Sequence, residues 1–442
     1  MSRRSLGTWM LLVMGLAAVL AVTPAFADSQ VRIVRLSDVE GKVEADRNTG
    51  QGFENAFLNM PMVQGMKLAT KDGRAEVEFE DGSTLRLTSK TTIEFSDLML
   101  RDSGARVSTV TVKTGMVYVK YVAKGKDDEF TIRFADEKLR LDQATHFRLE
   151  VSRDNAELAV FNGELKVDGP SGEAEVSKNR TATFDLLNKE KVTIAKGVDE
   201  APLDAWDKQQ NQYHEEYASR ASNSNYPYGY GVSDLNYYGN YYDVPGYGWM
   251  WQPYFAGVSW SPFADGCWMF YPGFGWMWVS AYPWGWMPYR YGGWSLVPGY
   301  GWMWAAGGWG GWYNVPPVAN PPNRFPVPKP PVRGTTTVVV GHPATGLTSL
   351  PPQRLMVQNG TAGLGIPRGA VNNLGRVSHE VQRSGSATVH LSAPYRGTSM
   401  GLSASGWSGA SRASSGAHMS TGVSHTGGGS SGGHSSAGSS HR

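Results

Sequence analysis

Two stretches of the chain alternate apolar and polar residues strictly: Glu76-Val77-Glu78-Phe79-Glu80 and Thr84-Leu85-Arg86-Leu87-Thr88. Strand side chains point to opposite faces in turn, so each stretch puts one face in a core and one in water. Between them Asp81-Gly82 supplies a two-residue hairpin turn, because glycine takes positive φ freely. Asn162-Gly163 stands in the same way between 158–161 and 164–167 and predicts a second hairpin. Further strands are expected at 107–113, 117–122, 130–134, 147–151 and 182–186, and no run carries a helical period. Residues 28–200 therefore read as an all-β domain, an antiparallel sandwich or roll.

Past residue 200 the pattern changes. Asp204 is placed to cap a helix over 205–217, with Trp206, Tyr213 and Tyr217 on one face as its docking residues. Residues 201–233 read as this helical connector and a flexible link. In 234–312 the octet [Val/Tyr]-Pro-Gly-[Tyr/Phe]-Gly-Trp-Met-Trp begins at Val244, Tyr271 and Val297. Adding 26 to Trp260, Pro262, Gly266, Trp268, Pro272, Trp276 and Trp278 lands on the same residue types, a true repeat. On a strand the aromatics of each octet share a face, and Pro-Gly ahead of them makes a turn. The repeats therefore predict a β-meander whose neighbouring members pair through aromatic ladders. Residues 313–442 read as a Pro-rich and then Gly/Ser-rich disordered tail, with 335–340 as a single strand able to join an edge.

Composition sharpens the repeat region. Thirteen of the 16 tryptophans lie in 245–312, which has no Ile, one Leu and three Val. An aliphatic core is excluded there, so the tryptophans must supply it. Thirteen exceed what so small a domain can bury, and the surplus is free to bind. Trp249, Trp251, Trp276, Trp278, Trp302 and Trp304 are the candidate platform, for stacking on glycan or meeting a protein. Interfacial insertion into a membrane is the weaker reading, because Gly and Pro interrupt any long span. Arg290 is the single basic residue in 245–312, which excludes nucleic acid.

The net charge of +2 hides an asymmetry: 28–244 carries 28 Lys/Arg against 37 Asp/Glu, and 245–442 carries 11 against 2. Arg3 and Arg4, an apolar run over 9–22 and Ala25-Phe26-Ala27 form a cleavable export signal, residues 1–27. The mature chain is expected in the periplasm or outer envelope, with no transmembrane span. Cys267, the one cysteine, allows no internal disulfide and is expected to act as a small hydrophobe.

Candidate chemistry is sparse. Glu76, Glu78 and Glu80 share a strand face and offer a site for a hard cation, but a solvated face is the preferred reading. Asp127-Asp128-Glu129 reads as a solvated turn, and His146 as a lone strand histidine. His418, His425, His434 and His441 match no compact metal site. No catalytic triad, phosphate loop, zinc signature or cofactor motif is present.

Residues 31–200 resemble the FecR domain of bacterial envelope proteins. The likeness rests on Gly65-Met66-Lys67-Leu68-Ala69-Thr70, 75–79, Asp81-Gly82-Ser83, Leu85 to Leu87, Gly115-Met116-Val117-Tyr118-Val119, Thr145 to Val151 and 162–167. Ala144 departs from it, since the family has Gly there. The resemblance implies an antiparallel β fold. Its well-known members relay a receptor signal to a cytoplasmic regulator, a role this chain lacks the regulatory segment to share. Residues from Leu235 to Trp304 resemble an uncharacterised Trp-rich domain that follows FecR domains in other envelope proteins. Tyr238-Gly239, Tyr247-Gly248, Trp284-Gly285-Trp286 and 288–294 carry that likeness. Relatives have His where Arg290 stands and Arg where Gly293 stands. The expectation is a non-enzymatic exported binding or scaffolding module whose partner is envelope glycan or protein. A FecR-type signal-relay component and a glycan-acting hydrolase are the alternatives.

Overall fold

The hairpin expected at Asp81-Gly82 forms as read: Arg74–Glu78 pairs antiparallel with Thr84–Leu87, and Gly82 takes φ 87°. The computed structural model describes residues 32–189, 191–219, 226, 228–309, 312, 315, 317–319, 325, 327–334, 336–340 and 354–392. These all fall in the larger of two units, residues 1–410. The expected export signal and the four tail histidines lie outside the described residues.

The first domain is two sheets sharing one strand. The expected strands at 107–113 and 117–122 are a single strand, Arg106–Tyr121. Its first half pairs with Thr92–Leu100 and, in parallel, with Glu129–Phe134. Its second half pairs with Thr84–Leu87 and Thr145–Val151. The change of sheet comes at Gly115, at φ 92°, where a Cβ would overlap the Thr91 backbone. Val77, Leu85, Val117 and Leu149 from one sheet meet Leu68, Ile93, Val112 and Ile132 from the other in one core.

The second expected hairpin does not form. Asn155–Asn162 pairs with Thr145–Val151 and Arg180–Asp185, whereas Glu164–Asp168 pairs with Glu137–Arg140 and Ala174–Ser177. Gly163, at φ 79° against the Ala144 carbonyl, turns the chain from one sheet into the other. Asn-Gly signals positive φ, which suits a corner as well as a hairpin.

All three octets make the same hairpin end. In Val244-Pro245-Gly246-Tyr247 the Tyr247 amide donates to the Val244 carbonyl at 2.9 Å, and Gly246 takes φ 80°. Proline first and positive-φ glycine second define a type II turn. Phe274 to Tyr271 and Tyr300 to Val297 repeat it, both at 3.1 Å, with Gly273 at 79° and Gly299 at 80°.

The repeats do not form the expected meander. The first and third hairpins, Gly239–Val244/Gly248–Pro253 and Tyr291–Val297/Gly301–Trp309, join through Trp251 opposite Trp304. The middle hairpin, Gly266–Tyr271/Gly275–Ser280, leaves that sheet and takes Thr337–Val340 on its edge. The reason is that both its faces are buried. Trp268, Trp276 and Trp278 face the aromatic core, while Cys267, Met269, Met277 and Val279 join the core of the first domain. Burial pushes the Cys267 thiol up to about 12, so it packs as a small hydrophobe.

Part of the expected tail folds. Arg354–Gln358, the helix Leu374–Ser384 and Ser386–His390 form a two-stranded sheet with its helix. Leu355, Val357, Leu374, Val377 and Val381 pack into the aromatic core and supply aliphatic volume that 245–312 lacks. No helix among the described residues is long and apolar enough to cross a membrane.

A Cβ at Gly266 would overlap the Trp278 ring, and one at Gly239 the Trp251 ring. Rigid indoles in a packed core cannot yield, so Gly266→Ala should destabilise the chain by about 1–3 kcal/mol. Urea unfolding followed by tryptophan fluorescence measures this.

Candidate functional site

The structure separates the six candidate platform tryptophans sharply. Trp249 is 62% exposed, Trp276 is 8% exposed, and Trp251, Trp278, Trp302 and Trp304 are 2% or less. Period-two alternation puts Trp249 and Trp251 on one strand face, but only Trp251 lies over the core. Trp249 sits at the hairpin end. Within the octets the other exposed aromatics, Tyr247, Phe274 and Tyr300, follow the Pro-Gly turn of each copy. The buried indoles bond internally where they can: Trp251 donates to the Leu235 carbonyl at 3.0 Å and Trp284 to that of Ala362 at 2.6 Å. Arg290 is buried as well, its guanidinium over the Trp286 ring and donating to the Trp278 carbonyl at 3.1 Å. Desolvation lowers it to about 10.

The polar strand face of the first domain is not solvated. Across the sheet, register aligns Arg35, Glu78, Thr84, Lys120 and His146 in one row, and Glu76, Arg86, Tyr118 and Arg148 in the next. The connector helix Asp204–Ala218 carries Asp204, Asp207, Asn211, His214 and Glu215 at three- and four-residue steps, a single face. That face lies on the rows. Asp204 accepts from Tyr118 and Arg148 at 2.8 Å, and Asp207 from Arg86 at 2.6 Å with His146 at 2.7 Å. Asp204 therefore anchors the helix instead of capping it; the cap position is Leu203, with no side-chain bond. Trp206 and Tyr213 are buried as expected, but the polar stripe makes the ionic contacts.

Glu76 is the centre of this seam. One of its oxygens accepts from Arg86 at 2.7 Å, and the other meets Ser37 at 2.7 Å, His214 at 3.0 Å and Arg368 at 2.7 Å. Arg368 also takes Asp234, at 3.0 Å through two nitrogens, while Arg35 binds Glu78 at 3.1 Å and Asp234 at 2.7 Å. Glu80 is held by Arg32 through both oxygens, at 2.7 and 2.8 Å. The three glutamates thus face arginines, correcting both the solvated-face and the cation-site readings. Asp128 is likewise taken by Arg106, at 2.9 Å. No cluster among the described residues could hold a metal.

Burial would raise Glu76, but His214, Arg368 and Arg86 outweigh it and hold the carboxyl well below the usual range. Asp207 is lowered against its burial by the His146 bond and the Arg86 charge, and Asp234 by the Arg368 and Arg35 charges. Glu78 moves the other way. Burial raises it, the charges of Asp234 and Glu76 add to that, and His214 and Arg35 offset it only in part.

His214 links Ser233, at 3.2 Å, to Glu76, which has the outline of a triad. Glu76 already neutralises two arginines, and Ser233 is 2% exposed. With its carboxylate committed to both guanidiniums, the trio joins the connector to the sheet, and Ser233 and His214 line the neighbouring cleft. Beside it, where the helix stops covering the sheet, a cleft of about 610 Å³ opens over Glu78, Thr84 and Lys120. Long-range partners of this kind leave no signal in local sequence: Arg368 is 292 residues from Glu76.

Comparison with known proteins matches residues 66–166 to the family described as FecR protein. Residues 232–319 match a family of unknown function, DUF6600. The chain therefore carries a FecR domain followed by an uncharacterised domain. No curated protein matches it. Two crystal structures described as "a putative anti-sigma factor from Parabacteroides distasonis ATCC 8503" share 13% and 14% identity with it. They cover 30% and 32% of this chain and 59% and 63% of their own, at TM-scores of 0.26 and 0.27. The chain spans less than two thirds of either structure, and scores this low carry no argument.

Lowered carboxylates bind fewer protons folded than unfolded, so Glu76, Asp207 and Asp234 contribute stability at neutral pH. That stability is lost as pH falls below the usual 4.5 and 3.8 through their lower folded values. Glu78, being raised, relieves a cost earlier in the descent, from its raised folded value down to the usual 4.5. Glu76→Gln leaves Arg86 and Arg368 facing a neutral group, and should cost about 3–5 kcal/mol at pH 7. It should also flatten the acid loss, as urea titrations between pH 3 and 7 measure.

Proposed function

We propose that the chain is an exported, non-enzymatic module of the cell envelope that binds or scaffolds, with glycan or protein as its partner. The carrying observation is which surfaces remain open. The polar face of the FecR domain is largely covered by the chain's own connector and Arg368, and nearly all the described tryptophans are core. Among the exposed aromatics of the described residues, the first hairpin end carries the two most open, Tyr247 at 53% and Trp249 at 62%. Flat aromatic faces with polar tips suit stacking on sugar rings or anchoring in a protein pocket. Exposed Asp243, opposite Trp249 across the hairpin, adds a hydrogen-bond acceptor beside the ring. A regulatory role of FecR type is the second reading, favoured by the match over 66–166.

Pull-down on peptidoglycan and insoluble polysaccharides tests the first reading. Trp249→Ala should weaken retention about tenfold or more with the fold intact, the loss of one aromatic anchor. Trp276→Ala and Trp302→Ala remove core and should lower stability instead. Retention unchanged by Trp249→Ala would overturn the glycan reading and leave the protein partner. Cell fractionation that found the chain in the cytoplasm would overturn the placement.

A further inference from the structure

The cleft beside the ionic seam has its own unspent chemistry. Its acidic lining is largely occupied: Glu78 takes Arg35 and the Gly231 amide, Glu80 takes Arg32, and Glu215 takes Lys120. Asp81 accepts from the Ser83 amide and hydroxyl, both at 2.8 Å. Of the cations, Arg86 is paired with Glu76 and Asp207, Arg106 with Asp128 and Lys120 with Glu215, yet two polar atoms beside them stay open. Among the described residues Arg86 Nη2 and Thr84 Oγ1 have no partner, although the two residues are 0% and 2% exposed. Native interiors rarely leave such groups unpaired. Both residues line the cleft, and Lys124 stands at its edge by the Gly82 turn.

We propose that this cleft binds a small ligand through a single carboxylate, received by Arg86, Thr84 and Lys124. A guanidinium edge, a hydroxyl and an ammonium together suit a group with two acceptor oxygens and one negative charge. The neighbouring Glu78, Glu80 and Asp81 oppose a doubly charged ligand, which favours carboxylate over phosphate. About 610 Å³ holds a dipeptide-sized molecule, within the usual range for small-ligand sites. Tyr226 and Tyr228 on the same wall give its apolar part a surface. The ligand is thus a free peptide C-terminus or a small organic acid, and the site does not involve Trp249 or Tyr247.

Titration calorimetry on the mature chain from Asp28, with Ala-Ala dipeptide, its C-terminal amide, acetate and inorganic phosphate, tests this. The dipeptide should bind saturably and its amide should not. Acetate binding as well as the dipeptide would assign the site to small acids instead of peptide ends, within the same carboxylate chemistry. Lys124→Ala should weaken binding about tenfold, and Thr84→Val by a smaller factor, with near-ultraviolet dichroism unchanged. Trp249→Ala should leave it untouched, so this site and the aromatic hairpin end fail or stand separately. Absence of saturable binding by any carboxylate probe, equal binding of acid and amide, or preference for phosphate would overturn the proposal. So would a Thr84→Val variant that gains stability and binds as well as wild type.

Discussion

Glu76 joins the first domain to the connector and to the segment that holds Arg368. It sits in a strand of the first domain and collects Arg86 from its own sheet, His214 from the connector and Arg368 from the segment after the hairpins. Four stretches of chain, counting Asp234, therefore meet around one buried group of charges. Attraction inside a low-dielectric seam is strong, but removing the charges from water costs nearly as much. Such a cluster adds little net stability over an apolar contact of equal area. What it adds is selectivity: every alternative docking of helix or segment leaves an arginine or carboxylate buried alone, at a cost of several kcal/mol.

The aromatic domain relies on the seam for its position and on the first domain for its core. With almost no aliphatic residues of its own, it borrows them in two places. The middle hairpin turns Met269, Met277 and Val279 into the core of the first domain. The segment 354–392 sets Leu355, Val357 and Leu374 among the tryptophans. Removing either source would leave indoles facing water or voids, because rigid rings cannot repack to fill the space. The two family matches thus describe sequence units, while the packing is shared between them.

Much of the first domain was legible because period-two alternation is a direct consequence of strand geometry. The hairpin at Asp81-Gly82, the strands near 130, 147 and 182, and the three Pro-Gly turns all follow from it. Alternation separates two faces but does not say which one meets water. On 76–80 the charged face reads as solvated; Arg86 stands just across the hairpin, but Arg32 and Arg35 lie 48 and 43 residues before their partners, and His214 and Arg368 lie 138 and 292 after Glu76. The middle repeat shows the same limit. Its Trp-Met-Trp alternation matched the other copies, yet both its faces are covered, and only the tertiary contact reveals why it leaves the shared sheet. In the expected tail a helical period is present in the sequence. Leu374, Val377 and Val381 recur at three- and four-residue steps, and Asn373 caps that helix by accepting from the Arg376 amide at 3.1 Å.

The exposed aromatics follow from the turn chemistry. Each octet needs two glycines at positive φ to close its hairpin, and the residue between them, Tyr247, Phe274 or Tyr300, must then sit at the tip beyond the reach of the core. Exposure at these positions is therefore a product of the repeat itself. Trp249 differs. It occupies a position where the two other copies bury their tryptophans, Trp276 and Trp302. Those two lie against Phe270 and Phe325, whereas the residue opposite Trp249 is Asp243. Across the hairpin the first copy has this acid where the other two have Phe270 and Leu296. The same octet therefore closes a core twice and once presents an indole outward.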